Sequence, residues 1–323
     1  MKEFELIKRF FTEQVIKRKD VVLGIGDDCA IVSPSERQNI AITTDTLVAG
    51  VHFPHETSAR AIGHKSIAVN LSDLAAMGAE PTWVSLAITM PEANQEWIEE
   101  FCHGAFELCE YYNVQLIGGD TTQGPLTITV TAQGLVPKDR HLTRSGAKAG
   151  DWVYVTGEIG DAALALKHVF NEVTVAAEYC ESVRRSLDFP APRVLAGQAL
   201  REYASAAIDL SDGIISDLGH ICSASKVGAN IVLDDLPISN ALRDTVGMEK
   251  AFEMALVGGD DYELLFTVSE DNKVGMETAL ANTGNTITCI GQLNNKCEKI
   301  TTTLDNKPVP INAKCFEHFS SSK

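Results

Sequence analysis

A chain of 323 residues is long enough for two domains or one large one, and 45% hydrophobic with 22% charged residues is the balance of a globular protein. A net charge of −17 and a pI near 4.9 set the surface against nucleic acid and anionic membranes as partners. The eight cysteines form no C-x-x-C pair, Met1-Lys2-Glu3-Phe4 leads straight into an amphipathic pattern rather than a signal peptide, and no apolar run approaches ~18 residues, so a cytoplasmic protein with reduced thiols and no membrane span is expected.

Phe4, Ile7, Phe10, Phe11 and Val15 recur at helical spacing and predict an opening helix. Val21 to Leu23 leads into the Gly24-Ile25-Gly26 turn, and Asn39 to Thr44 reads as a strand. Ser58 to Met77 reads as a long helix with Thr57 or Ser58 as its N-cap. Strands follow at Thr82 to Met90, Val114 to Ile117 and Leu126 to Val136, with a helix over Glu96 to Tyr112. The polar, basic stretch Pro137 to Asp151 marks a break, which gives domains at 1–137 and 151–323 joined by a link at 138–150. The second half restarts with a strand at Trp152 to Thr156, then helical patterns near 160–170, 175–187 and 193–203. Strands at Ala206 to Asp209, Ile231 to Leu233, Tyr262 to Val268 and Thr286 to Ile290 are expected, with helices over Gly213 to Ser225 and between the last two strands. Both halves mix strands and helices, and each carries a Gly-Gly-Asp after an apolar run, without a demonstrable repeat.

The informative pattern is a series of aspartates placed at strand ends and glycine turns: Gly26-Asp27-Asp28, Thr43-Thr44-Asp45, Asp73, Gly118-Gly119-Asp120, Asp209-Leu210-Ser211-Asp212-Gly213 and Gly258-Gly259-Asp260-Asp261. Two such charges ~5 Å apart repel by roughly 3 kcal/mol at an effective dielectric near 20. Gathered in one cleft they require bound cations or raised pKa values, and oxygen-only ligands favour Mg²⁺, which shares its shell with waters and phosphates. A metal-dependent phosphate enzyme follows. Taken singly, each motif has a plainer account: a solvated Asp-Gly turn at 24–28, a β-turn at 118–122, a helix cap at 209–213, a linker arginine at Arg144, a structural or surface histidine at His52. Neither a Walker A loop, nor a protein-kinase H-R-D loop, nor a G-x-S-x-G elbow is present, so no acid, base or nucleophile is assigned. Arg144 lies in the one basic stretch of an acidic chain, and its planar fork suits phosphate.

Gly26-Asp27-Asp28-Cys29-Ala30, the stretch from Thr43 to Phe53, Asn70 to Ala79, Gly118 to Thr122, Leu142 to Ala147, Asp209 to Gly213 and Gly258 to Leu265 together resemble, in order and over nearly the whole chain, the thiamine-monophosphate kinases. That family belongs to the superfamily of aminoimidazole-ribonucleotide synthetase and selenophosphate synthetase. The glycine-aspartate turns are common to the superfamily, while Asp45 to Phe53 and the Asp-Tyr-Glu-Leu-Leu stretch point to the thiamine enzymes. The resemblance implies an α/β (α+β) fold of two mixed domains, with N-terminal sheets paired across a homodimer. It implies ATP-dependent phosphorylation of thiamine monophosphate to thiamine diphosphate, by in-line attack of an acceptor phosphate that is already an anion. It implies several Mg²⁺ ions on Asp28, Thr43, Thr44, Asp45, Asp73, Asp120, Asp209 and Asp212. ATP would lie on Gly119, Asp120, Arg144 and Ser211, and the acceptor on His52, Asp260 and Phe316. The family usually has Glu where this chain has Asp260. Around Phe101-Cys102-His103-Gly104 no adenine-pocket residues match. Two alternatives stand beside this one: another ATP-using enzyme of the same superfamily, or a non-catalytic metal-nucleotide-binding maturation protein. Against the latter, Cys315 is not terminal, as a thiocarboxamide carrier would need.

Overall fold

A computed structural model describes residues 3–12 and 14–310. The chain divides into two compact units: one takes in the chain up to Leu74 together with Ala79–His141, the other takes in Ala75–Gly78 and the chain from Leu142 on. No helix of the described residues is long and apolar enough to cross a membrane, and none of their cysteines is in a disulfide.

The first unit opens with a short helix α1 (Glu3–Leu6) that widens into a π-helical turn (Ile7–Thr12) burying Phe10 and Phe11. The side chain of Gln14 then mimics a strand edge, exchanging hydrogen bonds of 2.6 and 2.9 Å with the Leu116 carbonyl and amide. Short strands β1 (Val21–Leu23) and β2 (Ile31–Val32) pair with each other. A four-stranded sheet follows, in the order β3-β6-β4-β5, from β3 (Gln38–Val48), β4 (Glu80–Met90), β5 (Gln115–Gln123) and β6 (Thr127–Pro137). β3 and β6 run antiparallel in unbroken register from Gln38↔Pro137 to Val48↔Thr127, and β4 and β5 run parallel. Parallel neighbours need a crossover, supplied here by α3 (Gln95–Tyr111), whose N-cap Asn94 accepts from Trp97 N at 3.1 Å. Helix α2 (Ala59–Ala76) is apolar on most of its faces and buried accordingly. Ser58, rather than Thr57, accepts at its start, from Ala61 N at 3.2 Å.

The second unit is built on a seven-stranded sheet. Its strands are β7 (Trp152–Thr156), β8 (Ala204–Asp209), β9 (Gly228–Val232), β10 (Leu264–Val268), β11 (Ile287–Asn294), β12 (Ile300–Leu304) and β13 (Lys307–Val309), in the order β13-β12-β9-β11-β7-β10-β8. All neighbours are antiparallel except β12 and β9. The helices are α4 (Asp161–Val169), α5 (Ala177–Asp188), α6 (Val194–Leu200), α7 (Ile214–Ser225), α8 (Asn240–Val246), α9 (Met248–Val257) and α10 (Lys273–Leu280). Val153, Val155, Ile208, Ile231 and Leu265 of the sheet pack with Ile214, Leu218 and Ile221 of α7 and Phe252 of α9 in one core. A second cluster joins α4, α5, α8 and α9 through Leu164, Val183, Leu242 and Met254. The apolar run before Gly258 is thus helical, whereas Gly118-Gly119-Asp120 lies within a strand, so the two Gly-Gly-Asp sequences do not occupy equivalent places.

Candidate active site

Alternation along β3 sorts its side chains between two faces. Asp45 and Leu47 lie on the more buried face with Thr43, while Ile40, Ile42, Thr44 and Thr46 are exposed on the other. The Thr43 hydroxyl donates to Asp73 Oδ2 on α2. The Asp45 carboxyl is pushed up to about 6, first by burial and then by the negative charge of Asp73. Asn70, one turn before Asp73 on the same face of α2, donates to the Ser66 carbonyl at 3.1 Å, and its buried Oδ1 has no hydrogen-bond partner among the described residues. Thr44 points away from this group and shares a 2.9 Å hydroxyl contact with Thr131. A contribution from Thr44 to a cation beside Asp45 would therefore come from its main chain.

Asp120 stands exposed within β5, opposite Ala87 of β4. A Cβ on Gly119 would lie 1.8 Å from the Leu86 carbonyl oxygen, so glycine there serves the close approach of β4, while Gly118 has nothing near its missing side chain. Beside this strand is a small cavity of about 50 Å³, walled by Ile7, Phe11, Ile25, Leu86 and Leu116 and bounded by Gly118 to Thr121. Asp28 is exposed, and its amide is held by Asp27 Oδ1 at 2.9 Å. His52 Nδ1 accepts from Val48 N at 3.1 Å, which places the proton of the neutral ring on Nε2.

In the second unit β8 ends at Asp209, opposite Leu264 of β10. The loops that follow β8 and precede β10 lock together. Asp260 N donates to the Ser211 carbonyl at 3.0 Å, Tyr262 N to the Leu210 carbonyl at 2.8 Å, and Leu210 N to the Glu263 carbonyl at 2.8 Å. A Cβ on Gly259 would stand 2.3 Å from the Ser211 carbonyl oxygen. The N-cap of α7 is Gly213, with no side-chain cap, so helix capping does not account for Asp209, Ser211 or Asp212. Asp217, in the first turn of α7, instead reaches back to accept from Asp212 N at 3.1 Å. Burial pushes its carboxyl up to about 7, the Asp212 charge adds to this, and backbone donors and the Arg144 guanidinium oppose it. Arg144 therefore acts electrostatically on this loop.

The stretch expected as a link is bonded to β8 and α7. Ala207 N donates to the Thr143 carbonyl at 3.0 Å, Ala147 N to Ser225 Oγ at 3.2 Å, and Ser225 Oγ to the Arg144 carbonyl at 3.1 Å. The Asp-Tyr-Glu sequence is anchored at every residue. Asp261 accepts from Gly160 N at 2.9 Å at the start of α4, and burial pushes its carboxyl well above the usual range. Glu263 receives the Arg193 guanidinium through two bonds, one of 2.6 Å from Nε, and accepts from Thr156 Oγ1 at 2.5 Å. Asp260 (φ 71) and Tyr262 (φ 50) are both left-handed, and the Tyr262 hydroxyl donates to Asp260 Oδ1 at 3.0 Å. Phe316 lies outside the described residues.

Of the aspartates expected at strand ends, Asp209 is at one. Asp45 and Asp120 lie inside strands and Asp73 inside α2, because threonine-rich sequence beside Asp45 and Asp120 suits a pleated, half-buried surface and carries the strand on. Sequence reasoning assigned no role to Asp217, Asp261 or Arg193. An acid in the first turn of an apolar helix was a usable signal for Asp217, whereas the Arg193–Glu263 pair spans 70 positions and leaves no local trace.

Among the described residues no three His, Cys, Asp or Glu side chains are drawn into one metal-binding group. Carboxylates without a cation between them repel. Asp45, Asp73 and the Thr43 hydroxyl nevertheless form an oxygen-only set in which burial, and after it the Asp73 charge, raises Asp45. That chemistry fits Mg²⁺, which fills the rest of its shell with water and phosphate oxygens.

The family model of AIR synthase related protein, N-terminal domain, matches residues 26–136, and that of the C-terminal domain matches residues 148–302. The thiamine-monophosphate kinase of Escherichia coli is 50% identical over 323 residues, which cover 99% of this chain and 98% of that one. The crystal structure of thiamine-monophosphate kinase from Stenotrophomonas maltophilia is 44% identical, with a TM-score of 0.84 over 91% of this chain and 93% of that one. AaThiL complexed with AMPPCP and TMP is 31% identical, with a TM-score of 0.76 over 91% and 92% of the two chains.

Proposed function

This chain belongs to the thiamine-monophosphate kinase family of AIR synthase related proteins, and we propose that it transfers the γ-phosphoryl group of ATP to thiamine monophosphate, giving thiamine diphosphate and ADP. Likeness to these kinases along the full chain carries this assignment. Asp28, Thr43, Thr44, Asp45, Asp73 and Asp120 of the first unit and Asp209 and Asp212 of the second would hold Mg²⁺. When bound, Mg²⁺ supplies neutralising charge to the phosphates. Gly119, Asp120, Arg144 and Ser211 bind ATP, with the guanidinium of Arg144 offsetting triphosphate charge in a chain of net charge −17. His52, Asp260 and Phe316 bind the acceptor. His52, its Nδ1 engaged by Val48 N, offers the Nε2 proton as a donor.

The acceptor phosphate oxygen attacks the γ-phosphorus in line, and ADP leaves. The nucleophile is already an anion, so these side chains have only to bind, orient and neutralise. A homodimer joined through the first unit is part of the same proposal. Its support is the edge strand β3, which exposes Ile40 and Ile42 on its outer face. The chemistry belongs in the cytoplasm.

Release of ADP measured with thiamine monophosphate, with aminoimidazole precursors and with no acceptor tests the assignment. ADP and thiamine diphosphate in equal amounts are expected only with thiamine monophosphate. Turnover with an aminoimidazole precursor instead, or none with any acceptor, would replace it with one of the two alternatives.

A further inference from the structure

Asp260 and Tyr262 both occupy the left-handed region, at φ 71 and φ 50. Aspartate tolerates that conformation, but a bulky aromatic residue does so rarely. Such residues are strained and persist only where the surroundings over-determine them. The surroundings do so here. The main chain of this turn is bonded to Leu210 and Ser211 on one side. Asp261 between them is tied to Gly160 at the start of α4, and Glu263 just beyond is held by Arg193 and Thr156.

This conformation brings the side chains at 260 and 262 to the same side of the turn. The Tyr262 ring is buried, at 8% exposure. Its hydroxyl is spent on Asp260 Oδ1 at 3.0 Å. Packing alone would be met by phenylalanine. What the hydroxyl adds is a hydrogen bond that helps set the orientation of the Asp260 carboxylate.

We propose that Tyr262 is a positioning residue for the acceptor: its hydroxyl aims the Asp260 carboxylate at the cationic, amino-bearing part of thiamine monophosphate. A carboxylate complements a thiazolium ring and an aminopyrimidine, and it repels the phosphate of the same molecule. Binding energy gained at this remote part of the substrate, away from the reacting oxygens, places the phosphate for attack. This role presupposes that Asp260 contacts the acceptor.

The test is a double-mutant cycle with Tyr262→Phe, Asp260→Ala and the pair, followed by steady-state kinetics in both substrates and by thermal unfolding. Tyr262→Phe is expected to raise KM for thiamine monophosphate about three- to tenfold, less than the full worth of a hydrogen bond to a charged group because the hydroxyl acts through the carboxylate and not on the ligand. KM for ATP and kcat stay within about twofold, and the unfolding midpoint stays close to the parent's. Asp260→Ala raises the same KM at least as much, and the pair is no worse than Asp260→Ala alone, because the hydroxyl acts only through the carboxylate. Asp260→Asn, which keeps an acceptor for the phenol but loses the charge, should resemble Asp260→Ala in KM.

Additive effects would overturn the positioning role, as would no change in Tyr262→Phe or equal rises in KM for both substrates. An unmoved KM in Asp260→Ala would remove the acceptor from this turn and the role of Tyr262 with it. Failure of the parent to phosphorylate thiamine monophosphate at all is a separate result, and it would strike the assigned reaction itself.

Discussion

Replacing Arg193 by methionine should destabilise the second unit through one carboxylate. Glu263 is 5% exposed. It accepts two bonds from the Arg193 guanidinium, whose side chain is 24% exposed, and one from Thr156. Methionine keeps most of the aliphatic volume but leaves the carboxylate buried with only the Thr156 hydroxyl of these partners. Breaking a buried pair on one side costs about 3–5 kcal/mol, and the partial exposure of Arg193 places this case at the lower end. At about 2–4 °C per kcal/mol for a unit of 150–250 residues, the midpoint should fall by roughly 6–12 °C. Glu263→Gln in the Arg193→Met background should recover much of the loss, since no charge is then stranded. The two units need not melt together, so circular dichroism should be followed alongside the fluorescence of Trp152, the tryptophan of the second unit. Because Glu263 borders the strained turn at 260–262, KM for thiamine monophosphate should also rise at temperatures where the protein stays folded. A midpoint shift under about 2 °C, or a double variant no better than the single, would mean that the pair does not hold this turn.

Other outcomes follow from the site. Asp45→Asn, Asp120→Asn and Asp212→Asn should each need more Mg²⁺ and turn over more slowly when it is limiting, and near-normal rates in all three would remove the metal assignment. Arg144→Ala should lower kcat/KM for ATP on the order of 10- to 100-fold, the worth of a charge-assisted contact, with Arg144→Lys recovering only part. Arg37→Ala, in an exposed polar stretch, is the control, and equal kcat/KM in both alanine variants would leave Arg144 a solvated residue. Incubation with γ-labelled ATP and no acceptor should leave the denatured protein unlabelled, and stoichiometric label that chases into product would replace direct transfer with a phosphoenzyme.

Alternating apolar patterns made most of the sheet framework legible: Thr82 to Met90, Leu126 to Val136 and Trp152 to Thr156 lie on observed strands almost to the residue. Errors gathered where polar residues sit inside regular structure. β3 runs four residues beyond Thr44 because Asp45 and Thr46 alternate faces as well as apolar residues would. β12 escaped notice because threonine fills its centre, and its pairing with β9 is a long-range fact. The opening helix is regular only through Leu6, after which a π-helical turn shifts the phase of Phe10 and Phe11 away from the helical spacing of the sequence. Local motifs point to the loops of the candidate site, and they do not point to what holds those loops. The side-chain partners of Asp261 and Glu263 are Gly160, Thr156 and Arg193, and each is reached only by folding.

That division has a physical cause. A group that meets a ligand must come with its neighbours in a fixed local geometry, so it leaves a short signature of glycines and acids. A group that holds it in place needs only reach and charge, and any element of the fold can supply it. Asp217 shows the consequence for an acidic protein. Its carboxyl accepts from the backbone beside Asp212 instead of facing outward, and burial and the Asp212 charge drive it toward the neutral form while Arg144 draws it back. The loop that ends β8 thus gains a rigid support without a second full negative charge beside Asp212. Asp45 and Asp73 meet the same conflict differently. Asp73 takes a threonine hydroxyl, and burial together with the Asp73 charge appears as the raised Asp45. In both units burial first, and a neighbouring carboxylate after it, disfavours the charged form of these acids, and a cation bound beside them would relieve that cost.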